Sequence, residues 1–159
     1  MIEAGDNRPM LEGLRVVDMT SVVFGPYCTQ ILADFGAEVI KIEPPGPGDP
    51  ARSTGPFFHD EDHPEKSLPF LYLNTNKRSI TLDLKTGQAK EIVFRLVAQA
   101  DVVVENFRAG VMQRLGFGDD VLRQIKPDLI YCAISGYGQE GPKSAVAAYD
   151  GAIQADSGM

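Results

Sequence analysis

Apolar positions in this chain come in short runs, set apart by Gly- and Pro-bearing breaks, and the period within each run tells strand from helix. Leu14 to Met19 (L-R-V-V-D-M) is a β-branched run after Gly13 and predicts a strand. T-S-V-V-F-G-P-Y follows as a turn, with Pro26 suited to the first position of a helix, where its missing N–H costs nothing. Cys28, Ile31, Leu32 and Phe35 recur at the spacing of one helical face, and Gly36 ends that helix. Val39 to Ile42 predicts a second strand. A strand, turn, helix and strand this short imply parallel pairing.

The pattern then breaks. Residues 44–69 carry prolines at 44, 45, 47, 50, 56, 64 and 69, glycines at 46, 48 and 55, and an acidic run at 60–62. This predicts an excursion over the surface, long enough for a compact domain to suggest a function. Residues 70–73 read as a short helical turn and Arg78 to Leu84 alternates as a strand. Residues 86–100 give the clearest helix, with Ile92, Val93, Leu96 and Val97 on one face. Val102 to Val104 is an apolar strand. Short helices are predicted at 110–115 and 119–125, a strand at 129–134, a glycine-rich loop at 135–142 and a helix from Tyr149 onward. Strands and helices alternate throughout, so the expected fold is α/β: a Rossmann-like, doubly wound, mostly parallel sheet.

Composition narrows the function. A chain of 159 residues fits one domain. Its net charge of −7 argues against a nucleic-acid partner, which requires a concentrated basic face. It leaves room for a nucleotide ligand, which needs only two or three cations. Cys28 and Cys132 lie in apolar segments and read as small hydrophobes in a reducing compartment. The N-terminal segment lacks a basic start and an apolar core, and no apolar run reaches the roughly 18 residues of a membrane span. The expectation is a cytoplasmic protein with no membrane and no nucleic-acid partner.

In open α/β sheets, ligands bind at the carboxyl ends of the strands. Four predicted strand ends carry unusual loops, at 20–27, 82–85, 105–110 and 135–142. Asn106 and Arg108 offer donors to phosphate or amide oxygens, Phe107 and Tyr137 offer flat faces for an adenine, and Arg114 adds a second cation. Together these suit an adenine nucleotide or coenzyme A. Each also has a plainer reading: solvated arginines, a core phenylalanine. Residues 76–78 (N-K-R) read equally as a phosphate contact or as a polar turn. Only one glycine separates the first strand from its helix, so the dinucleotide fingerprint is absent there. G-Y-G-Q-E-G at 136–141 has the fingerprint's letters but sits in a turn-rich stretch. His59 and His63 read as part of a solvated loop rather than a metal pair.

Six stretches, in order, resemble one family: L-E-G-L-R-V-V-D-M-T at 11–20, G-P-Y-C-T-Q-I-L-A-D-F-G-A-E-V-I-K-I-E-P-P-G-P-G-D at 25–49, N-K-R-S-I-T-L-D-L-K-T at 76–86, A-D-V-V-V-E-N-F-R-A-G-V-M-Q-R-L-G at 100–116, P-D-L-I-Y-C-A-I-S-G-Y-G-Q-E-G-P at 127–142 and Y-D-G-A-I-Q-A-D-S-G-M at 149–159. The series is similar to the N-terminal part of class III coenzyme A transferases, the formyl-CoA and carnitine CoA-transferase family. The resemblance implies transfer of CoA from an acyl-CoA donor to a small free carboxylic acid, with no tightly bound cofactor or metal. It implies a catalytic aspartate that passes through anhydride and aspartyl-CoA intermediates, and two subunits interlocked as a homodimer. Residues 1–159 would then be the N-terminal part of the CoA-binding large domain, inactive by itself.

By motif, the resemblance puts CoA contacts at Val23, Phe24, Leu82, Asp83, Leu84, Lys85, Asn106, Phe107, Arg108 and Arg114, with Tyr149 beside the thioester. An arginine that some members use for a CoA phosphate falls on Pro44, and a glutamine of some members falls on Val23. The family nucleophile follows a later Gly-rich turn, beyond Met159. Asp150 therefore reads as a neighbour of the active site and Asp156 as a solvent-facing helix residue. Related 2-methylacyl-CoA racemases carry an acid/base histidine where this chain has Tyr149. An ordinary tyrosine is too weak an acid to replace it near neutral pH, which favours transfer over racemisation. A non-catalytic nucleotide-binding module is the alternative from another class.

Overall fold

The structure, a computed structural model, describes residues 8–159. Five strands form one sheet: β1 (Arg15–Met19), β2 (Glu38–Glu43), β3 (Lys77–Thr81), β4 (Val102–Glu105) and β5 (Ile130–Ala133). Their order is β3-β2-β1-β4-β5 and every neighbouring pair is parallel. That order reverses between β1 and β4, the switch point at which open α/β sheets form their ligand crevice.

Helices cover both faces. Residues of β1 and β4 divide by the two-residue period of a strand. Val17, Met19 and Val103 join the core made with α3 (Gly87–Val97), α4 (Val111–Leu115) and α5 (Asp119–Ile125), where Val93, Val97, Met112, Phe117 and Leu122 are buried. Val16, Val102 and Val104 join the opposite core with Ala33 of α1 (Phe24–Asp34). The sheet is thus doubly wound. A sixth helix, α6 (Asp150–Ser157), has no buried residue.

Element boundaries move for local reasons. α1 begins at Phe24, two residues before Pro26, and Val23 caps it without any side-chain hydrogen bond. β3 stops at Thr81, because Asp83 closes a turn by accepting the Lys85 and Thr86 N–H groups at 3.1 and 3.0 Å. α2 (Leu68–Leu73) begins earlier than the apolar pattern suggests, since Ser67 caps it through the Phe70 N–H.

Residues 44–69 do leave the sheet, but they are anchored rather than merely surface-borne. Asp49, Ala51 and Ser67 are buried. Arg52 forms a two-bond fork on Glu43 at 2.7 and 2.9 Å and lies 3.7 Å over the Phe70 ring. A stretch dense in proline and glycine is pinned by polar anchors where it has few apolar ones.

Candidate functional site

Because all five strands run the same way, the segments that leave their carboxyl ends share one rim. In sheet order these are 82–85, 44–48, 20–24, 106–108 and 134–142. The loops at 20–24 and 106–108 flank the switch point, and side chains tie them together. Asn106 accepts the Ser21 N–H at 2.9 Å and donates to the Ser21 carbonyl at 2.8 Å. The Asn106 amide, expected as a ligand donor, is therefore largely committed to the neighbouring loop.

The other expected site residues sort clearly. Val23 and Phe24 are 48% and 58% exposed at the start of α1. Leu82, Leu84 and Phe107 are half-buried and pack against the larger core, so they offer edges and backbone more than open faces. Phe107 N–H donates to Glu105 Oε2 at 2.8 Å. Burial raises the Glu105 carboxyl above the ordinary range, opposed by the bonds from the Phe107 N–H and the Tyr131 hydroxyl. Lys85, Arg108 and Arg114 are exposed and make no salt bridge among the described residues. In a chain of net charge −7, these cations are left without a carboxylate partner among the described residues.

Tyr149 stands apart. It is 81% exposed at the start of α6, and Asp150 accepts only from Gln154 among the described residues. No hydrogen bond joins either to the loops at 20–24 or 106–108. Asp156 is exposed, as expected of a helix residue facing solvent, yet it has partners: the Tyr137 hydroxyl donates to it at 2.6 Å and Lys143 at 2.7 Å. Those bonds join α6 to the glycine-rich loop and beside them leave a recess of ≈ 320 Å³. Tyr137 thus contacts its own chain rather than presenting a free face near the switch point.

The sequence reading missed how several polar residues under the rim are paired. Lys77, one of the two readings for 76–78 being a phosphate contact, is buried and bonds Asp18 Oδ2 at 3.1 Å and the Pro26 carbonyl at 2.8 Å. Asp18 also accepts the Thr20 N–H at 2.8 Å and the Thr29 hydroxyl at 2.6 Å. Lys41, 1% exposed, pairs with Asp49 at 2.8 Å and donates to the Thr20 carbonyl at 2.8 Å. The signal was present: Asp18, Lys41 and Glu43 are charges inside apolar strand runs, where only paired charges persist. Lys90 on α3 is another cation with no acidic partner among the described residues, and its Nζ lies close against Gly116 at the end of α4. Among the described residues, no cluster of His, Cys, Asp or Glu suits a metal and no helix is long and apolar enough to cross a membrane.

Residues 11–159 match the model of CoA-transferase family III. An acetyl-CoA:oxalate CoA-transferase of Acetobacter aceti is 49% identical over 148 residues, 93% of this chain and 37% of that protein. The succinyl-CoA:glutarate CoA-transferase of Mus musculus is 45% identical, over 97% of this chain and 34% of its own length. Among solved structures, a CAIB/BAIF family protein from Brucella suis superposes with a TM-score of 0.87 at 42% identity, covering 95% of this chain and 40% of that one. The chain spans about 32–40% of the length of the curated relatives it matches. It belongs to CoA-transferase family III.

Proposed function

We propose that this chain forms the N-terminal part of the CoA-binding large domain of an enzyme that moves coenzyme A from an acyl-CoA donor to a free carboxylic acid. The observation that carries the reading is a set of exposed cations with no carboxylate partner among the described residues: Lys85 and Arg108 in rim loops, and Arg114 in the helix that follows the second loop. They suit the phosphates of a CoA molecule lying across the switch point. Val23 and Phe24 would meet its pantetheine arm. Leu82, Asp83, Leu84, Asn106 and Phe107 would contribute backbone groups and half-buried edges around the adenosine. Relatives 42–50% identical carry names that include oxalate, glutarate or mesaconate, so a small dicarboxylate is the acceptor class to test.

The transfer proceeds through covalent catalysis by an aspartate of the full-length protein other than Asp150 and Asp156. Its carboxylate attacks the thioester carbonyl, the C–S bond breaks, and CoA leaves as thiolate from a mixed anhydride. The thiolate returns to the aspartyl carbonyl, giving aspartyl-CoA and free acid. The acceptor carboxylate repeats the sequence in reverse and leaves as a new thioester. Tyr149 lies beside the thioester in this reading, and the absence of a basic group at its position favours transfer over racemisation. The enzyme works as a homodimer in the cytoplasm.

The test is incubation of the full-length protein with succinyl-CoA or acetyl-CoA and a panel of oxalate, glutarate and mesaconate. The expected result is a new CoA thioester of one of these acids, together with a CoA-modified aspartyl peptide trapped in the absence of acceptor. No new thioester with any acid would refute transfer.

A further inference from the structure

The loop at 20–24 holds one residue in a conformation its side chain disfavours. Val22 has φ of 72°, in the left-handed region. A β-branched residue there is disfavoured by about tenfold or more relative to ordinary backbone. The Val22 side chain is 39% exposed, so packing does not enforce this geometry. Polar bonds to the adjoining backbone do. Asp49 Oδ1 accepts the Val22 N–H at 3.0 Å, and the same oxygen accepts the Ala51 N–H at 2.9 Å. Asp49 Oδ2 lies 2.8 Å from Lys41 Nζ in an ion pair without hydrogen-bond alignment, since that oxygen has no hydrogen-bond partner. Lys41 in turn holds the Thr20 carbonyl, and Asn106 holds both polar groups of the Ser21 backbone. Residues 20, 21 and 22 are each gripped, and the grip ends where Val23 and Phe24 emerge.

We propose that Asp49 is a positioning residue for CoA binding: oriented by Lys41, it clamps the Val22 backbone in the left-handed conformation and so aims Val23 and Phe24 at the ligand. This rests on the CoA reading of the rim. Asp49 and Lys41 touch no ligand themselves. Both are 1% exposed and act only through the backbone of the loop above them. A residue held in a disfavoured conformation persists only where its surroundings over-determine it. Here the surroundings are a buried carboxylate contributed by the excursion and a buried ammonium contributed by β2.

A purely structural role for Asp49 makes a different prediction, because it would act through Ala51 and the excursion rather than through Val22. Replacing the charge pair together, as Lys41→Met with Asp49→Ala, removes the clamp without orphaning either buried charge. Adding Val22→Gly removes the backbone penalty, since glycine enters the left-handed region freely. In the full-length protein the pair replacement is expected to raise the KM for the acyl-CoA, and the Kd for free CoA by calorimetry, about tenfold. kcat should stay within about threefold. Val22→Gly on that background should restore most of the affinity. Asp49→Asn combined with Lys41→Met, which keeps the acceptor oxygen and orphans no buried charge, should stay much closer to native than the pair replacement, and hydrogen exchange at the Val22 amide should be slow in the native protein and in this asparagine pair and fast in the pair replacement.

Unchanged affinity in the pair replacement overturns the proposal. So does a triple variant no better than the double, or a Lys41→Met, Asp49→Asn protein as impaired as the Lys41→Met, Asp49→Ala one. Should the pair replacement fail to fold, Val22→Pro in the otherwise native protein asks the same question, because proline holds φ near about −65° and has no N–H. A tenfold or greater loss of CoA affinity with a retained thermal midpoint supports the clamp, and native affinity refutes it. A native protein that binds no CoA refutes the CoA reading and the clamp together. A native protein that binds CoA, with variants that bind it equally, refutes the clamp alone.

Discussion

Glu43 offers a direct test of how the Pro/Gly-rich excursion is held to the sheet. It ends β2, is 3% exposed, and accepts four hydrogen bonds: two from Arg52, one from the Asp49 N–H at 2.9 Å and one from the Ser79 hydroxyl. Burial pushes its carboxyl up, but the bonds from Arg52, Ser79 and Asp49 outweigh that and hold it down at about 2, against an ordinary 4.5. The folded state therefore binds the proton less well than the unfolded chain. The stabilisation is fully present above pH 4.5 and is lost as pH falls toward 2. It amounts to about 3 kcal/mol at neutral pH, of which about 2 kcal/mol is gone by pH 3. Glu43→Gln removes the titrating group. In urea unfolding followed by circular dichroism, native and Glu43→Gln proteins should differ by about 3 kcal/mol or more at pH 7, and by about 2 kcal/mol less at pH 3. At neutral pH the thermal midpoint of the variant should be lower by roughly 10 °C. A difference that is the same at pH 7 and pH 3 would show that Glu43 does not titrate as its hydrogen bonds require.

Other outcomes follow from the same geometry. Lys77→Met leaves the buried Asp18 carboxylate without its cation and should cost about 3–5 kcal/mol; adding Asp18→Asn should recover part of it, and equal single and double losses in urea unfolding would argue against the pair. Glu105 behaves oppositely to Glu43: its carboxyl is raised by burial, so the folded state binds the proton better and the stability it contributes falls as pH rises above 4.5. Glu105→Gln, which keeps an acceptor for the Phe107 N–H, should therefore unfold at higher urea than native at pH 7 and with no such advantage at pH 4. Gly25→Ala would set a Cβ 2.3 Å from Thr20 Cβ, and overpacking at that buried turn should lower stability by about 1–3 kcal/mol and CoA affinity with it. Arg114→Ala and Arg108→Ala should each weaken CoA binding by roughly tenfold at low ionic strength and make it less sensitive to salt, with unfolding unchanged; a loss of stability instead would assign them to the fold.

The order of strands and helices and their parallel direction were legible because each element carries its own local period. β1, β2 and β4 announce themselves as Val/Ile runs, and α3 by an apolar face within 86–100. The loops that share the rim follow from parallelism alone, so the placement of Val23, Lys85 and Arg108 at strand ends is legible in the sequence. What each side chain does there is not. Asn106 looks like a ligand donor until Ser21, 85 residues away, proves to take both ends of its amide. Lys77 looks like part of a polar turn until Asp18, 59 residues away, proves to be its partner. Local pattern says that a residue is polar and near a strand end; only long-range pairing says whether its polar atoms are already taken. Val22 is the sharpest case, since nothing in S-V-V-F signals a left-handed valine. The cause lies at Asp49, inside a stretch whose prolines and glycines suggest only a surface loop.

The placement of the buried charges carries its own argument. Lys41–Asp49, Lys77–Asp18 and Arg52–Glu43 all meet near the carboxyl ends of β1 and β2, with Lys77 reaching there from the start of β3, while the core on the other face, around Val93, Val97, Phe117 and Leu122, is apolar apart from Glu105 at the end of β4. A buried ion pair contributes little net stability over a well-packed hydrophobic pair of the same volume, because desolvation offsets most of its attraction. Stability alone therefore gives no reason for charges to concentrate at one end of the sheet. Directional bonds do. A methionine or leucine at 41 or 77 would fill the space but would fix no backbone, whereas these lysines grip the Thr20 and Pro26 carbonyls and their aspartates grip the Thr20 and Val22 N–H groups. All four bonds end on residues 20–26, the turn between β1 and α1 and the first residues of that helix. The polar half of the interior is thus a mould for that turn, and the turn is the part of the rim that stands at the switch point.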